Sequence, residues 1–326
     1  MRALVTGGTG FIGSHLVEKL HKQGDEVISL AKDGRNVAIL EQLGVKVILG
    51  DLNNGMQWDE ILEGVDIVYH LAGVTRSRCA RDYYEGNTLA TKRFVRICSS
   101  LTGSLKRFLY VSSLTAVGPS ADGTPLREDA PYHPVSHYGK SKMLAELEVL
   151  KASARLPITI VRPSAVYGPR DREWCPYIRL TLRGIQPRIG FGTKLLNIIH
   201  SDDLTEGILQ AAKAPQAVGE IYFFGSEQAY TITDFERAIA GALNTHPLRV
   251  PLPHPIAYAI GAVGGALGRI FGHDVMFNIQ KVRESVQYAW TCSVEKAKSE
   301  LGFRQRISLM EGMQTTCDWY SSNKWI

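Results

Sequence analysis

Tyr138 and Lys142 stand four residues apart in the run His137-Tyr138-Gly139-Lys140-Ser141-Lys142, which leads into a helical pattern through Ala145 and Leu150. Residues at that spacing share one helical face, so the phenol and the ammonium point the same way. A free tyrosine titrates near pH ~10 and is a poor base at neutrality, but an adjacent ammonium stabilises the phenolate and lowers that value. The pair is therefore a candidate acid/base for a hydroxyl or carbonyl group. Upstream, Tyr110-Val111-Ser112-Ser113 closes an apolar run. Ser113 is the candidate for hydrogen-bonding the reacting oxygen, against the plainer reading of a turn serine beside a surface tyrosine.

Such side chains need a scaffold, and the start of the chain announces one. Residues 6–13 read TGGTGFIG directly after the apolar run Ala3-Leu4-Val5. Gly7 can turn the chain tightly, Gly10 lets a pyrophosphate approach the backbone, and Gly13 lets the following helix sit close to the strand. The helix N-terminus adds unpaired N–H groups and a positive dipole end. A glycine-rich turn is common, but this one lies between a strand and a helix, which is the context a dinucleotide site requires.

Short runs apolar on both faces at 3–6, 26–30, 46–49, 67–70, 107–112 and 158–162 read as central parallel strands. Helical stretches at 13–23, 34–43, 58–63, 87–100 and 138–154 alternate with them. That rhythm predicts an α/β fold, a Rossmann-type doubly wound parallel sheet with its ligand at the carboxyl ends of the strands. The pattern changes after Tyr167-Gly168-Pro169. Residues 170–192 hold a helix at 176–183 and no long strand; short strands at 197–199 and 221–224 flank a helix at 203–213. From 231 onward the chain reads as mostly helical. The expected organisation is a nucleotide-binding domain over 1–168, with 193–224 returning to it. Residues 169–192 and 225–326 form a smaller, mostly helical substrate lobe.

A composition of 44% hydrophobic and 21% charged residues is that of an ordinary globular protein, and 326 residues can bury a large core. The net charge of +5 is modest, and no Lys/Arg run resembles a nucleic-acid arm, so no nucleic-acid partner is expected. Arg76, Arg78 and Arg81 cluster, as a solvated face or an anion site would. Cys79, Cys98, Cys175, Cys292 and Cys317 are scattered, odd in number and without a CxxC pair, so neither a disulfide framework nor a metal site is expected. With the first strand beginning at once, a cytoplasmic protein without a signal peptide is expected. Residues 254–272 (HPIAYAIGAVGGALGRIFG) are apolar but short for a span, glycine-rich and interrupted by Arg269. They read as a buried or cleft-lining helix, with contact to a membrane surface as the alternative.

Further motifs extend the pattern. They are Gly50-Asp51-Leu52, His70-Leu71-Ala72-Gly73, Asn87 with Thr91, Gly118 beyond Ser113, the run Arg162 to Pro169, Ile199 to Leu204, and Lys296-Ala297 with Leu301-Gly302-Phe303. Together with the glycine turn and YGKSK, and over nearly the whole chain, these resemble the extended short-chain dehydrogenases/reductases, the NAD(P)-dependent epimerase/dehydratase family. The nearer branches are the dihydroflavonol-reductase and 3β-hydroxysteroid-dehydrogenase types. The resemblance implies that Gly7, Gly10, Phe11, Ile12 and Gly13 hold the cofactor and that Asp51 and Leu52 meet its adenine. Leu71, Ala72 and Gly73 would pass the pyrophosphate and ribose, and Pro163 and Val166 would cup the nicotinamide. Tyr138 would be the acid/base, and Lys142 would also hold the nicotinamide ribose. Asn87 would organise the site, and Ser113 fits the catalytic Ser/Thr better than Ser112 by its distance to Gly118. The family also pairs helices equivalent to 87–100 and 138–154 in a homodimer. Asp202 and Asp203 read more simply as negative charge at a helix N-terminus.

Departures from the family narrow the reading. Where members that use NAD usually carry an acid after the second strand, this chain has Ala31, then Lys32, with Arg35 nearby. A cation in place of a carboxylate suits a 2′-phosphate, so NADP(H) is favoured over NAD(H), with Lys32 as its partner. Leu114 and Thr115 stand where dehydratases carry an acidic pair, which argues against dehydration. Leu196 stands where sugar-nucleotide epimerases carry a pyrophosphate-clamping arginine, with Lys194, Arg188 and Arg283 as partial substitutes. The expectation is an oxidoreductase moving a hydride between the nicotinamide and a carbonyl or secondary alcohol of an apolar small molecule. The alternatives are a nucleotide-sugar epimerase working through a keto-sugar intermediate and a catalytically silent NADP(H) sensor.

Overall fold

Apart from the edge strand Lys46–Leu49, the apolar runs pair as parallel strands with both faces covered. The computed structural model describes residues 1–326 apart from 35, 54, 102, 104 and 272–276 and the side chains of 269–271. Seven strands form the main sheet, in the spatial order Ile221–Phe224, Ile158–Pro163, Arg107–Val111, Ile67–His70, Arg2–Thr6, Glu26–Ala31 and Lys46–Leu49. All neighbours are parallel. Alternate residues feed two cores. Val5, Leu109 and Val161 pack with Leu16 and Leu204 on one face, and Leu4, Phe108 and Ile160 pack with Phe94 and Val149 on the other. The strand order reverses between Arg2–Thr6 and Ile67–His70, so the crevice lies beyond Thr6 and His70.

Several elements differ from the sequence expectation. The helix expected at 87–100 starts at Ala80 and passes through a π-helical turn, Tyr84–Leu89, before continuing as Ala90–Leu101. The stretch 170–192, expected to lack a long strand, contains Ile185–Ile189, which pairs in parallel with Leu248–Leu252. Its partner lies far along the chain, where local pattern cannot announce it. The strand expected at 197–199 is two: Leu195–Leu196, in a small sheet with Tyr230–Thr231 and Ala289–Trp290, and Ile198–His200, paired with Ala165–Tyr167.

The apolar stretch after His254 is a helix, His254–Phe271, but it is not buried. Ala257 and Gly261 face inward, and a Cβ on Gly261 would meet Val282 at 2.8 Å. Ile256, Ile260, Val263 and Leu267 are 46–59% exposed. The small residues give the helix a narrow seat on the helix Ile279–Ser285, too narrow to cover its other sides. Among the described residues, no helix is long and apolar enough to cross a membrane.

Candidate active site

The first strand ends in a turn at Gly7, whose φ of +77° strains any residue with a side chain. A Cβ there would also lie 2.8 Å from the backbone nitrogen of Ala72. At Gly13 a Cβ would lie 2.1 Å from the Gly7 carbonyl oxygen, so that glycine seats its helix on the turn itself rather than on the strand. The helix Phe11–Lys22 is capped by Gly10 with no side-chain partner, and its first turn carries no acid. Its opening N–H groups are therefore suited to a phosphate. Phe11 sets its ring edge-on to His15, and Ile12 packs against the core.

Across the crevice, Leu71, Ala72 and Gly73 follow the fourth strand. Leu71 N donates to Thr6 O at 3.1 Å and Ala72 N to Thr6 Oγ1 at 3.2 Å. Beneath them His70 bridges Thr6 and Thr91 in full burial, which, with Lys142 nearby, lowers its pKa to about 3. It is a neutral core histidine. Asn87 lies in the π turn and is buried. Its Oδ1 accepts from Val74 N at 2.6 Å, and its Nδ2 donates to Val74 O at 3.0 Å and Ser141 Oγ at 2.8 Å. One carboxamide thus ties the loop after the fourth strand to the helix that carries Tyr138.

That helix, His137–Leu150, starts at Ser136, whose hydroxyl accepts from Gly139 N at 3.0 Å. Lys142 donates from Nζ to Val111 O at 2.7 Å and lies 4.4 Å from the centre of the Tyr110 ring. Tyr138, one turn earlier, interacts with the hydroxyl of Ser113. The two side chains therefore meet the fifth strand at its carboxyl end, Lys142 on its last residue and Tyr138 just beyond. Ser113 caps the short helix Leu114–Val117 and accepts from Thr115 N and Oγ1 at 3.2 and 2.8 Å. Ser112 is spent elsewhere, donating to the buried carboxylate of Glu146. Pro163 ends the sixth strand, and Val166 follows in the short strand paired with Ile198–His200.

The electrostatics differ from the sequence expectation. Burial pushes the Tyr138 hydroxyl up to about 12, and Glu284 adds to that; Ser113 and Lys281 pull the other way. Burial lowers Lys142 to about 7, with Glu146 opposing. Lys281, from outside the Tyr–Lys pair, also bears on Tyr138. A desolvated phenolate costs more than a desolvated phenol, so the site favours the protonated hydroxyl.

Residues 3–225 match the family described as the NAD dependent epimerase/dehydratase family, which is more than half of the chain. The chain belongs to this family. It is 26% identical over 322 residues to the sterol-4-alpha-carboxylate 3-dehydrogenase (decarboxylating) of Dictyostelium discoideum, covering 95% of this chain and 98% of that one. It is 27% identical over 323 residues to the ceramide reductase of Caulobacter vibrioides, covering 99% and 95%. Among solved structures, MoeE5 in complex with UDP-glucose and NAD superposes with a TM-score of 0.80 at 27% identity, over 99% of this chain and 100% of that one. Reductases and sugar-nucleotide enzymes both stand among the likenesses.

For an epimerase/dehydratase enzyme, which binds a nicotinamide cofactor, the crevice fits the group. The uncapped helix start and the side-chain-free turn at Gly7 suit the pyrophosphate, and Lys142 suits a ribose hydroxyl. Lys32, 75% exposed at the end of the second strand, lies 3.0 Å from the Asp51 carboxylate. Leu52 is buried in the core beside it. Arg35 lies outside the described residues.

Sequence reasoning missed two groups around the family's Tyr–Lys pair. Arg162 and Glu146 form a fully buried ion pair at 2.7 Å. Tyr132 OH donates to Glu146 at 2.9 Å and Arg162 donates to Glu128 O at 2.9 Å. Charge in a helical pattern reads as a solvated face, so the only available signal was Arg162 inside an apolar strand. The second group faces Tyr138. Lys281 stands 3.5 Å from Glu284 and 3.7 Å from Glu173, and Glu173 pairs with Arg76 at 2.5 Å. Glu284 accepts from Ser136 Oγ at 2.7 Å, and Gln280 accepts from His137 N at 2.9 Å. The helix Ile279–Ser285 is thereby fastened to the start of the Tyr138 helix.

The arginines of 170–188 are divided among several partners: Arg170 pairs with Glu18 at 2.6 Å, Arg172 and Arg179 both meet Trp325, and Arg188 is held by Glu236. Lys194 donates to Ser285 O, and Leu196 is buried. Asp202 and Asp203 lie in the first turn of the helix Ser201–Lys213, as expected, with Asp203 also accepting from Ile307 N at 3.0 Å.

Proposed function

We propose that this protein is an NADP(H)-dependent reductase or dehydrogenase acting on the carbonyl or secondary alcohol of an apolar small molecule, with Tyr138 as acid/base. The observation that carries the reading is the meeting of Tyr138, Ser113 and Lys142 at the carboxyl end of the fifth strand. When bound, the nicotinamide supplies or accepts the hydride. Tyr138 gives its proton to the carbonyl oxygen during reduction and takes one back during oxidation. Ser113 donates a hydrogen bond to the same oxygen. The ammonium of Lys142 holds the ribose and steadies the phenolate that reduction leaves behind. A hydroxyl pushed up to about 12 is protonated at neutral pH, the form that can donate to a carbonyl oxygen.

The substrate class is supported by how the cations are used. A sugar-nucleotide pyrophosphate needs a clamp, yet Leu196 is buried and, of the three candidate substitutes, Arg188 and Lys194 are engaged with protein partners, which leaves the exposed Arg283. The names of the sterol-carboxylate dehydrogenase and the ceramide reductase point to apolar substrates. The likeness to MoeE5, solved with UDP-glucose, is what favours the second reading, sugar-nucleotide epimerisation. A panel of hydrophobic ketones, hydroxysteroids and UDP-, GDP- and dTDP-hexoses tests the choice. NADPH oxidation by ketones is expected, and efficient interconversion of any sugar nucleotide, followed by NMR, would reverse the ranking.

Lys32 is the proposed partner of the 2′-phosphate, exchanging Asp51 for it. NADPH is expected to bind more tightly than NADH, and Lys32→Ala to weaken NADPH by about tenfold while sparing NADH. Dissociation constants from fluorescence titration check this; equal affinities in the wild type would remove the preference.

Lys142 predicts a pH dependence. Its pKa is depressed to about 7 by burial, so the ammonium is present below that value and lost as the pH rises through it. The kcat/KM for reduction is expected to fall about tenfold per pH unit on the alkaline side. A flat profile into mildly alkaline pH would show that the charge on Lys142 is not required.

A further inference from the structure

The ribbon Ile185–Ile189 and Leu248–Leu252 has two unlike faces. Partnered residues in a parallel ribbon share a face, and successive residues alternate. Gln186, Arg188 and Arg249 turn toward Glu236, with Gln186 Nε2 donating to Glu236 O at 2.9 Å and Arg249 3.6 Å from its carboxylate. The opposite face therefore presents Ile185, Leu248 and Val250, 44, 70 and 37% exposed. A Cβ on Gly190 would lie 2.8 Å from the His254 ring. Phe191, next in the chain and 75% exposed, is thus set beside the start of the helix His254–Phe271. Along that helix Ile256, Ile260, Val263 and Leu267 recur at helical spacing and are all exposed.

The segments that build this apolar surface carry one sign of charge, and Arg237 within them pairs with Asp234 just outside at 3.7 Å. The segments 174–201 and 237–273, which supply both the ribbon and the helix, contain no Asp or Glu. They do contain Arg179, Arg183, Arg237 and Arg249, all exposed. Arg183 and Leu182 lie just before Ile185, where Leu248 N bonds Gly184 O at 2.8 Å. The one acid facing the ribbon, Glu236, is buried and already shared by Arg188 and Arg249.

We propose that this face docks on an anionic phospholipid bilayer, with the helix lying in the interface and the arginines at the headgroups. Apolar side chains seated at the acyl boundary beside cations over anionic lipid form the physical signature of an interfacial element. A second copy of the chain fits less well. A two-fold contact sets the same patch against itself and brings the arginine rims together. The docking face also has a mechanical link to the reaction site. Gly261 rests on the helix Ile279–Ser285, whose Gln280 and Glu284 hold His137 and Ser136 beside Tyr138. An apolar substrate would then leave the bilayer close to the reacting hydroxyl; that last step rests on the reductase reading, whereas docking does not.

Flotation of the full-length protein with phosphatidylcholine vesicles, with and without phosphatidylglycerol, tests docking without any turnover. Binding is expected on the anionic vesicles and is expected to weaken with salt. Val263→Asp combined with Leu267→Asp should lower partitioning by roughly tenfold or more. Arg183→Ser alone should lower it by about fivefold. NADPH affinity and the melting curve of each variant should match the wild type, which separates lost docking from lost folding. A wild type that floats with neither vesicle overturns the proposal. So does flotation that survives the double substitution, and so does a wild-type dimer that the double substitution splits.

Discussion

Tyr138→Phe is expected to lower the rate of hydride transfer by 10²–10⁴-fold, about the contribution of a positioned general acid, while NADPH still binds. The ring is kept and only the oxygen is lost, so the packing of Tyr138 against Tyr83 survives. Single-turnover oxidation of NADPH with a saturating ketone measures the chemical step, and fluorescence titration measures binding. Lys142→Ala should damage both, because the ammonium serves the ribose and the phenolate. The contrast is diagnostic: a site that used Tyr138 only as a wall would lose little with phenylalanine. Retention of more than about a hundredth of the wild-type rate would remove Tyr138 from the proton-transfer role.

Arg162→Met is expected to destabilise the fold by about 3–5 kcal/mol, because it leaves the Glu146 carboxylate buried without its cation. For a chain of this length the melting temperature should fall by roughly 6–20 °C, from about 2–4 °C per kcal/mol. Glu146→Gln added to Arg162→Met should recover part of that loss, since the uncompensated charge is then gone. Thermal melts of the wild type, the two single variants and the double variant close the cycle. An unchanged melting temperature in Arg162→Met would mean that the pair carries no structural role. Catalysis should fall in Arg162→Met as well, because Glu146 accepts from Ser112, the neighbour of Ser113.

Much of this architecture is legible in the sequence. The central strands were plain because helices cover both sheet faces, which turns Ile67–His70 and Arg107–Val111 into unbroken apolar runs. The glycine turn and the Tyr–Lys spacing were plain because each depends on local geometry alone. What stayed hidden depends on distant partners. Ile185–Ile189 reads IQPRI, and only Leu248–Leu252 makes a strand of it. Arg162 and Glu146 are charges that become buried only through each other. The apolar composition of 254–271 could not say which side of the helix would be covered. The tyrosine's raised pKa was also out of reach, because the burial that dominates it is set by the fold, and Glu284, which adds to it, arrives from the far end of the chain.

The π turn at Tyr84–Leu89 makes the length of its segment as informative as its letters. Upstream of it, Tyr83 is buried and its hydroxyl accepts from Ser77 N at 3.1 Å; within it, Asn87 clasps Val74. The wide turn sets the rotational phase between these anchors and Ala90–Leu101. Each residue of an α-helix advances about 100° around its axis. Removing one codon from 84–89 would leave every remaining residue chemically intact and let the segment wind as an ordinary helix. Everything on its N-terminal side would swing by about a quarter turn or more, and both anchors of the loop at 71–79 would face the wrong way. A gene carrying that deletion would encode a folded sheet with its loop cut adrift, whereas most single-letter changes on the exposed side of the same turn would pass unnoticed.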